Sequence, residues 1–306
     1  MSRTAFGGSR LSWRPGVSKR PRGKLPRLFG RVATALRSRW SRVVPAKTPL
    51  AGYAEQRHQI PFVDPLSDED LSELNALLPW KAFTVDRHGR RFGGVAWAGK
   101  RDRPQEIPDR RVLLLDERFG LADKQVLEVG CFEGIHTVAL SSLAREVTAV
   151  DGRIENVLKT IVRTALYGYR PTVFQHDVEN FSAGYELLQA DVLHHVGVLY
   201  HLRDPVRHLL DIGRYIRLGV MLDTHYALDA EAESSYQVNG REVPYKLFRE
   251  RGRRDVFSGL HPESKWLPLE VITSLLREAG FGVVDLVEKR QERNGPRVLL
   301  FARRGE

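Results

Sequence analysis

From residue 125 onward, short strand-like runs at 126–129, 146–150, 172–175, 190–198 and 218–222 alternate with helical segments. Buried strands joined by helices pack as a parallel sheet covered on both faces, with ligands held at the carboxyl ends of the strands. The first run, Val126-Leu-Glu-Val-Gly-Cys-Phe-Glu-Gly134, stops at an acid and a glycine and leads straight into a helix-like segment. Gly130 and Gly134 lack side chains and can take positive φ, so the backbone can approach a ligand closely, and the turn reads as a nucleotide-cofactor loop. The next run ends at Asp151, about 20 residues beyond the first glycine, where a carboxylate grips a ribose diol. At the C-terminus a helix over 269–279 is stopped by Gly280, and strands at 283–287 and 297–302 form a hairpin that closes the sheet.

A dinucleotide dehydrogenase would carry G-x-G-x-x-G, whereas Glu128 precedes the first glycine and Phe132 stands where the middle one belongs. Glu128 with Gly130 and Gly134, then Asp151, then Asp177 after the third strand, resembles the ordered cofactor motifs of class I S-adenosylmethionine-dependent methyltransferases over roughly 120–226. The resemblance implies a Rossmann-like α/β fold with a mostly parallel seven-stranded sheet, S-adenosylmethionine as cofactor, and a cofactor site of Glu128, Gly130, Gly134, Asp151, Gly152, Arg153, Asp177, Val178, Glu179 and Val196. Asp151 would hold the ribose hydroxyls, the Gly130 loop the amino-acid end, and Asp177 with Val178 the adenine. Each has a plainer alternative: Asp151 as a helix cap, Asp177 as a turn residue.

The fourth strand runs into Val196-Gly-Val-Leu-Tyr-His-Leu-Arg-Asp-Pro205, which places Tyr200 and His201 where a methyl acceptor would sit. His201 can take a proton and Tyr200 can hydrogen-bond or stack, making them the catalytic candidates. The alternative for His201 is a packed histidine beside Asp204. His194 and His195 read as structural, and no His or carboxylate spacing for a metal is found.

The charge is lopsided. Residues 1–50 hold 13 Lys or Arg and no acid, leaving 35 basic against 38 acidic residues beyond. The Arg/Ser/Pro/Gly mixture up to Lys24 reads as disordered, and Leu28, Val32, Leu36 and Trp40 recur every fourth position among arginines as a short basic amphipathic helix. Such a tail suits RNA or an anionic membrane surface. A solvated or cleaved extension and an organelle-import segment are the alternatives. With no bilayer-spanning run, no secretory signal and one cysteine, Cys131, which reads as a packing residue, the protein is expected to be cytoplasmic or peripheral at a membrane. Residues 51–120 read as an accessory segment. Ser67 and Asp70 start a helix that Pro79 helps to end, and two extended pieces within 83–97 flank the turn Asp86-Arg-His-Gly89. Residues 121–306 form the main domain, and the polar, aromatic span 227–266 reads as a substrate lid.

A narrower resemblance rests on Leu77-Leu-Pro-Trp-Lys81, on Gly130-Cys131 with Gly134 and His136, on Gly197-Val-Leu-Tyr-His201, and on Arg297-Val-Leu-Leu-Phe-Ala-Arg303. These are similar to the tRNA wobble-uridine 5-oxyacetic acid carboxymethyltransferases and their methyltransferase relatives. That likeness implies a carboxylated S-adenosylmethionine surrounded by Lys81, Trp97, Lys100 or Arg101, Tyr200 and Arg297. Phe132 and the different spacing after Trp97 depart from the pattern. The expected function is methyl transfer from S-adenosylmethionine to an unidentified acceptor. Carboxymethyl transfer to tRNA and noncatalytic cofactor or RNA binding are the alternatives.

Overall fold

The computed structural model of the protein describes residues 66–94, 103–180 and 185–305. Trp97, Lys100, Arg101, the basic tail and the first part of the accessory segment lie outside them.

Helix α1 (Asp68–Leu77) starts at the expected cap, where the Ser67 hydroxyl accepts from the Asp70 N–H and donates to its carboxylate. Strands β1 (Phe83–Val85) and β2 (Arg91–Gly93) pair antiparallel around the Asp86–Gly89 turn. Helix α2 (Arg110–Phe119), which the sequence reading left unassigned, is capped by the Asp109 carboxylate and ended by Gly120 in the left-handed region. Both cap residues are visible in the sequence as helix punctuation.

The core follows the expected alternation: β3 (Gln125–Val129), α3 (Ile135–Leu143), β4 (Glu146–Asp151), α4 (Ile154–Leu166), β5 (Thr172–Gln175), β6 (Ala190–Val196), α5 (Pro205–Tyr215) and β7 (Ile216–His225). The small strands β8 (Ser234–Val238), β9 (Arg241–Arg249) and β10 (Glu263–Trp266) follow, then α6 (Leu269–Glu278), β11 (Val283–Glu292) and β12 (Gly295–Arg303). The main sheet has the order β11-β12-β7-β6-β3-β4-β5. The pairs among β3 to β7 are parallel, and β12 is antiparallel to both β7 and β11. The mostly parallel seven-stranded sheet and its closing hairpin are therefore present, with the hairpin strands longer than expected.

Strand alternation sorts the core into two layers. Leu127, Leu193, Val220, Leu222 and Leu300 face a cluster with Val206, Leu209 and Ile212 of α5 and Ile272, Leu275 and Leu276 of α6. Their neighbours Val126, Val192, Met221, Leu299 and Phe301 face the other way, onto Val112 and Leu115 of α2 and Ala139 and Leu140 of α3. The span read as a lid has regular secondary structure. It folds as an antiparallel sheet in the order β10-β9-β8, a pattern hidden in sequence because its buried positions are few and include Ser264 and Trp266. No helix among the described residues is long and apolar enough to cross a membrane.

A third cluster joins Leu71, Trp80 and Phe92 of the accessory segment to Val138 and Tyr167. Its polar centre is Glu133, completely buried beside the cofactor-type loop. The Glu133 carboxylate accepts from the Lys81 N–H at 2.7 Å, the Ala82 N–H at 2.9 Å and Lys159 Nζ at 2.9 Å. Its own carbonyl accepts from Arg163 Nε at 2.6 Å, and that guanidinium lies over the Trp80 and Phe92 rings. Without Glu133, Lys159 keeps Glu155 at 2.6 Å and the Pro79 carbonyl at 2.7 Å, but the Lys81 and Ala82 N–H groups lose their acceptor, at about 2–5 kcal/mol for the two. Glu133→Ala is expected to lower the unfolding free energy in urea by about that much; a loss under about 1 kcal/mol would show that the network carries no stability.

Candidate functional site

Parallel pairing of β3 with β4 brings Val129 level with Val150, so the Gly130–Gly134 turn lies against the end of β4. Gly130 N–H donates to the Val150 carbonyl at 2.8 Å, and with φ at +77° its position leaves no room for a side chain: a Cβ would lie 2.3 Å from a Val198 methyl. Phe132, in the middle-glycine position, takes the left-handed region glycine favours, φ +51°, and its ring packs on Phe257 at 5.5 Å. A non-glycine residue held there stores local strain, a feature that clusters at ligand sites. The Phe132 N–H donates to Asp151 Oδ2 at 3.1 Å, while Oδ1 accepts from Arg153 N–H at 2.9 Å and Asn156 Nδ2 at 3.1 Å. A carboxylate has about four acceptor positions, so room for one more donor remains on Oδ2. Burial pushes the Asp151 carboxyl above its ordinary value despite these bonds.

These ends open on a cavity of about 330 Å³. Of the expected residues, Glu128, Gly130, Asp151, Gly152, Arg153, Asp177, Val178, Glu179, Val196, Tyr200, His201 and Arg297 border it. Gly134 and Lys81 do not. The Gly134 backbone packs on Thr160 of α4, where a Cβ would fall 2.9 Å from the Thr160 Cα, so this glycine serves the α3–α4 contact. Lys81 contributes its backbone N–H to Glu133. Arg153 borders the cavity, yet its guanidinium is spent on the small-sheet segment: Nη2 lies within 3.2 Å of the carbonyl oxygens of Gly252, Asp255, Ser258 and Gly259. Gly152 touches the same segment, because a Cβ there would meet a Leu260 methyl at 2.6 Å. Glu179 is likewise engaged, accepting the Asp204 N–H at 2.6 Å. The sequence reading missed Arg111, His136, Asn156, His176 and Phe257, which also line the cavity. Asn156 could have been found one turn into the helix after Asp151; Arg111 and Phe257 come from distant segments and carry no local signal.

Arg297 borders the cavity with its Nε bound to Asp223 and Nη1 3.5 Å from Glu292. Asp223, completely buried, also accepts from Arg290 at 2.9 and 3.0 Å, and Arg111 approaches it at 3.6 Å. The Arg297 guanidinium lies 5.6 Å from the centre of the Tyr200 ring, whose hydroxyl burial pushes up. His201 is paired with Glu250 rather than Asp204: its Nδ1 is 2.7 Å from Glu250 Oε1, and Asp204 instead caps α5.

The fold also gathers Glu128, His136 and His194, whose ligand-type atoms lie within 4.8 Å of one another, a grouping that spacing along the chain conceals. Arg111 Nη2 sits 3.2 Å from His136 Nε2, which sets a guanidinium beside any cation placed there. Burial pushes His194 well below its usual value, so it is neutral. Burial and the nearby Asp151 carboxylate together push Glu128 up to about 7, against a bond from the Thr137 hydroxyl at 2.5 Å. A carboxyl raised on folding binds its proton in the native state over the range where the unfolded chain has lost it. Its contribution is therefore full below the unfolded value of 4.5 and is lost as pH rises to about 7. Relative to Glu128→Gln, wild type is expected to lose on the order of 3 kcal/mol of stability between pH 4.5 and 7, read from denaturant unfolding at several pH values. Parallel pH profiles for the two proteins would contradict this.

No known family's sequence profile matches the chain. It is 30% identical over 148 residues to a tRNA U34 carboxymethyltransferase of Methylococcus capsulatus, covering 48% of this chain and 42% of that one. It is 30% identical over 196 residues to a tRNA U34 carboxymethyltransferase of Idiomarina loihiensis, covering 60% and 57%. The ubiquinone biosynthesis O-methyltransferase of Thiobacillus denitrificans is 29% identical over 186 residues, covering 59% and 74%. The chain thus spans about half the length of the tRNA U34 carboxymethyltransferases it matches. In structure, the N-terminal domain of EvdMO1, crystallised in the presence of S-adenosylhomocysteine and D-fucose, superposes with a TM-score of 0.64 at 24% identity over 78% of this chain and 98% of that one. The chain has the fold of the class I S-adenosylmethionine-dependent methyltransferases, and in sequence it is similar to tRNA U34 carboxymethyltransferases and to a ubiquinone biosynthesis O-methyltransferase.

Proposed function

We propose that the protein binds S-adenosylmethionine in the cavity at the carboxyl ends of β3, β4 and β6 and transfers its methyl group to an acceptor lying against Tyr200 and His201. The observation that carries this reading is the Asp151 carboxylate, pinned by the strained Gly130–Phe132 turn at the border of the cavity with one acceptor position left on Oδ2. The residues fit the cofactor: Asp151 suits the ribose hydroxyls, the Gly130 backbone the amino-acid end, and the Asp177–Glu179 edge the adenine. When bound, the cofactor supplies an electrophilic methyl on a sulfonium whose leaving group departs neutral, so the protein's part is mainly to position and to exclude water. Val256–Leu260, clamped by Arg153, serves as the cover on this side, the role the lid reading assigned to 227–266.

Calorimetric titration with S-adenosylmethionine should show binding that Asp151→Asn weakens at least tenfold; equal affinity for both proteins would remove Asp151 from the site. A second reading, carboxymethyl transfer to tRNA, is supported by Arg297 beside Tyr200 at the cavity edge. Two of its nitrogens are held by Asp223 and Glu292, which leaves Nη2 for a cofactor carboxylate. Arg297→Leu should then weaken the carboxylated cofactor tenfold or more and leave the plain one within about twofold. Plain S-adenosylmethionine binding more tightly than the carboxylated form in wild type would discard this reading. If tRNA is the acceptor, binding should weaken steeply with salt and on removal of residues 1–50.

A further inference from the structure

Glu250 stands at the end of β9, in the small sheet and away from the cavity wall, yet four donors converge on its buried carboxylate. Oε2 accepts from the Ser258 hydroxyl and, at 3.1 Å, from the Gly259 N–H; Oε1 accepts from the Ser264 hydroxyl at 3.0 Å and lies 2.7 Å from His201 Nδ1. Burial pushes Glu250 up, but His201 and these donors outweigh it and bring the group below its ordinary value, so it is a carboxylate. A carboxylate only accepts, which makes His201 Nδ1 the donor and assigns the proton of the neutral ring to Nδ1. Nε2 then carries the lone pair. No described residue bonds it, and His201 borders the cavity next to Tyr200.

We propose that Glu250 is a positioning residue that fixes His201 as the Nδ1–H tautomer and makes Nε2 the general base for an acceptor hydroxyl. This rests on the methyl-transfer reading above. In the step, the acceptor O–H gives its proton to Nε2 while an oxygen lone pair forms the bond to the methyl carbon. The carbon–sulfur bond breaks with its electrons passing to sulfur, which leaves as a neutral thioether. The imidazolium that forms faces the Glu250 carboxylate, the same support an orienting acid gives a catalytic histidine elsewhere. The base is also tied to the cofactor side. Ser258 and Gly259 bond Glu250 through one face, and their carbonyls hold Arg153, the second residue after Asp151, through the other. Withdrawal of this segment from Arg153 would take the Ser258 and Gly259 donors from Glu250 and leave the carboxylate held by Ser264 and His201.

The test needs no identified acceptor. Nitrogen-15 NMR of histidine-labelled full-length protein should show His201 protonated on Nδ1 and bare on Nε2 at pH 8. Diethyl pyrocarbonate, which acylates bare imidazole nitrogen, should label His201, mapped by mass spectrometry, and Glu250→Gln should slow that labelling about fivefold or more while labelling of His88, far along the chain, is unchanged. A proton on Nε2 in wild type, or labelling of His201 in Glu250→Gln at the wild-type rate, overturns the proposal. Calorimetry with S-adenosylhomocysteine on the same samples separates the two readings. Equal binding by both proteins leaves the cofactor site intact and lets the NMR and labelling decide the dyad. No binding by wild type sinks the cofactor reading, and with it the step, whatever tautomer is found.

Discussion

Removing a carboxylate from water costs several kcal/mol unless donors replace what the solvent gave, and Glu133 is completely buried at the last turn of the cofactor-type loop. Its partners come from both sides: two backbone N–H groups of the accessory segment and the Lys159 ammonium of α4. The loop can satisfy Glu133 only if α4 and the 80–82 segment are in place. The accessory segment is thus a buttress whose absence would leave a buried charge beside the cavity. The same requirement explains why Lys159 and Arg163, both completely buried, sit on the inner face of α4, which also carries Asn156, Val157, Thr160 and Thr164, while Ile154, Leu158 and Ile161 are exposed.

With the loop held, the site is assembled from one side by Asp151 and from the other by the small sheet. Asp151 spends its acceptor capacity on the Phe132 and Arg153 N–H groups and on Asn156, which fixes the turn in a left-handed conformation that Phe132 would not hold alone. Phe132 answers by packing on Phe257 of the covering segment, and Arg153 grips the carbonyls around it. The strand-end turn at Asp151, the 252–259 segment and the His201–Glu250 pair therefore form one connected arrangement in which backbone amides and carbonyls do most of the holding.

Departures from the sequence expectation trace to particular protein partners. Lys81, named through family resemblance, and Gly134, named through motif spacing, turn out to serve the packing around Glu133 and Thr160. Arg153 and Glu179 border the cavity as expected, but their charged ends are committed to the 252–259 segment and to the Asp204 N–H. For Arg153 and Glu179 the residue type is right for a ligand and the partner is protein, because a polar side chain beside a buried turn bonds the backbone groups within its reach. His201 shows the converse: its partner lies 49 residues away along the chain and could not be inferred from the neighbouring Asp204.

By itself the sequence determined the order of the central strands and helices from residue 125 to 225 and of the closing hairpin, since short apolar runs and glycine-punctuated turns are local properties; the β8–β10 sheet carried no such signal, and α2 was left unassigned. That order, with the acids and glycine at the ends of β3 and β4, was enough to point to the carboxyl edge of a mostly parallel sheet, where the cavity lies. Tertiary structure alone decided what each polar side chain does there. The three arginines around Asp223, the Glu128, His136 and His194 grouping, and the Glu250 support of His201 all join segments far apart in the chain. Their roles follow from burial and from which donor meets which acceptor, quantities that exist only once the strands have been laid side by side.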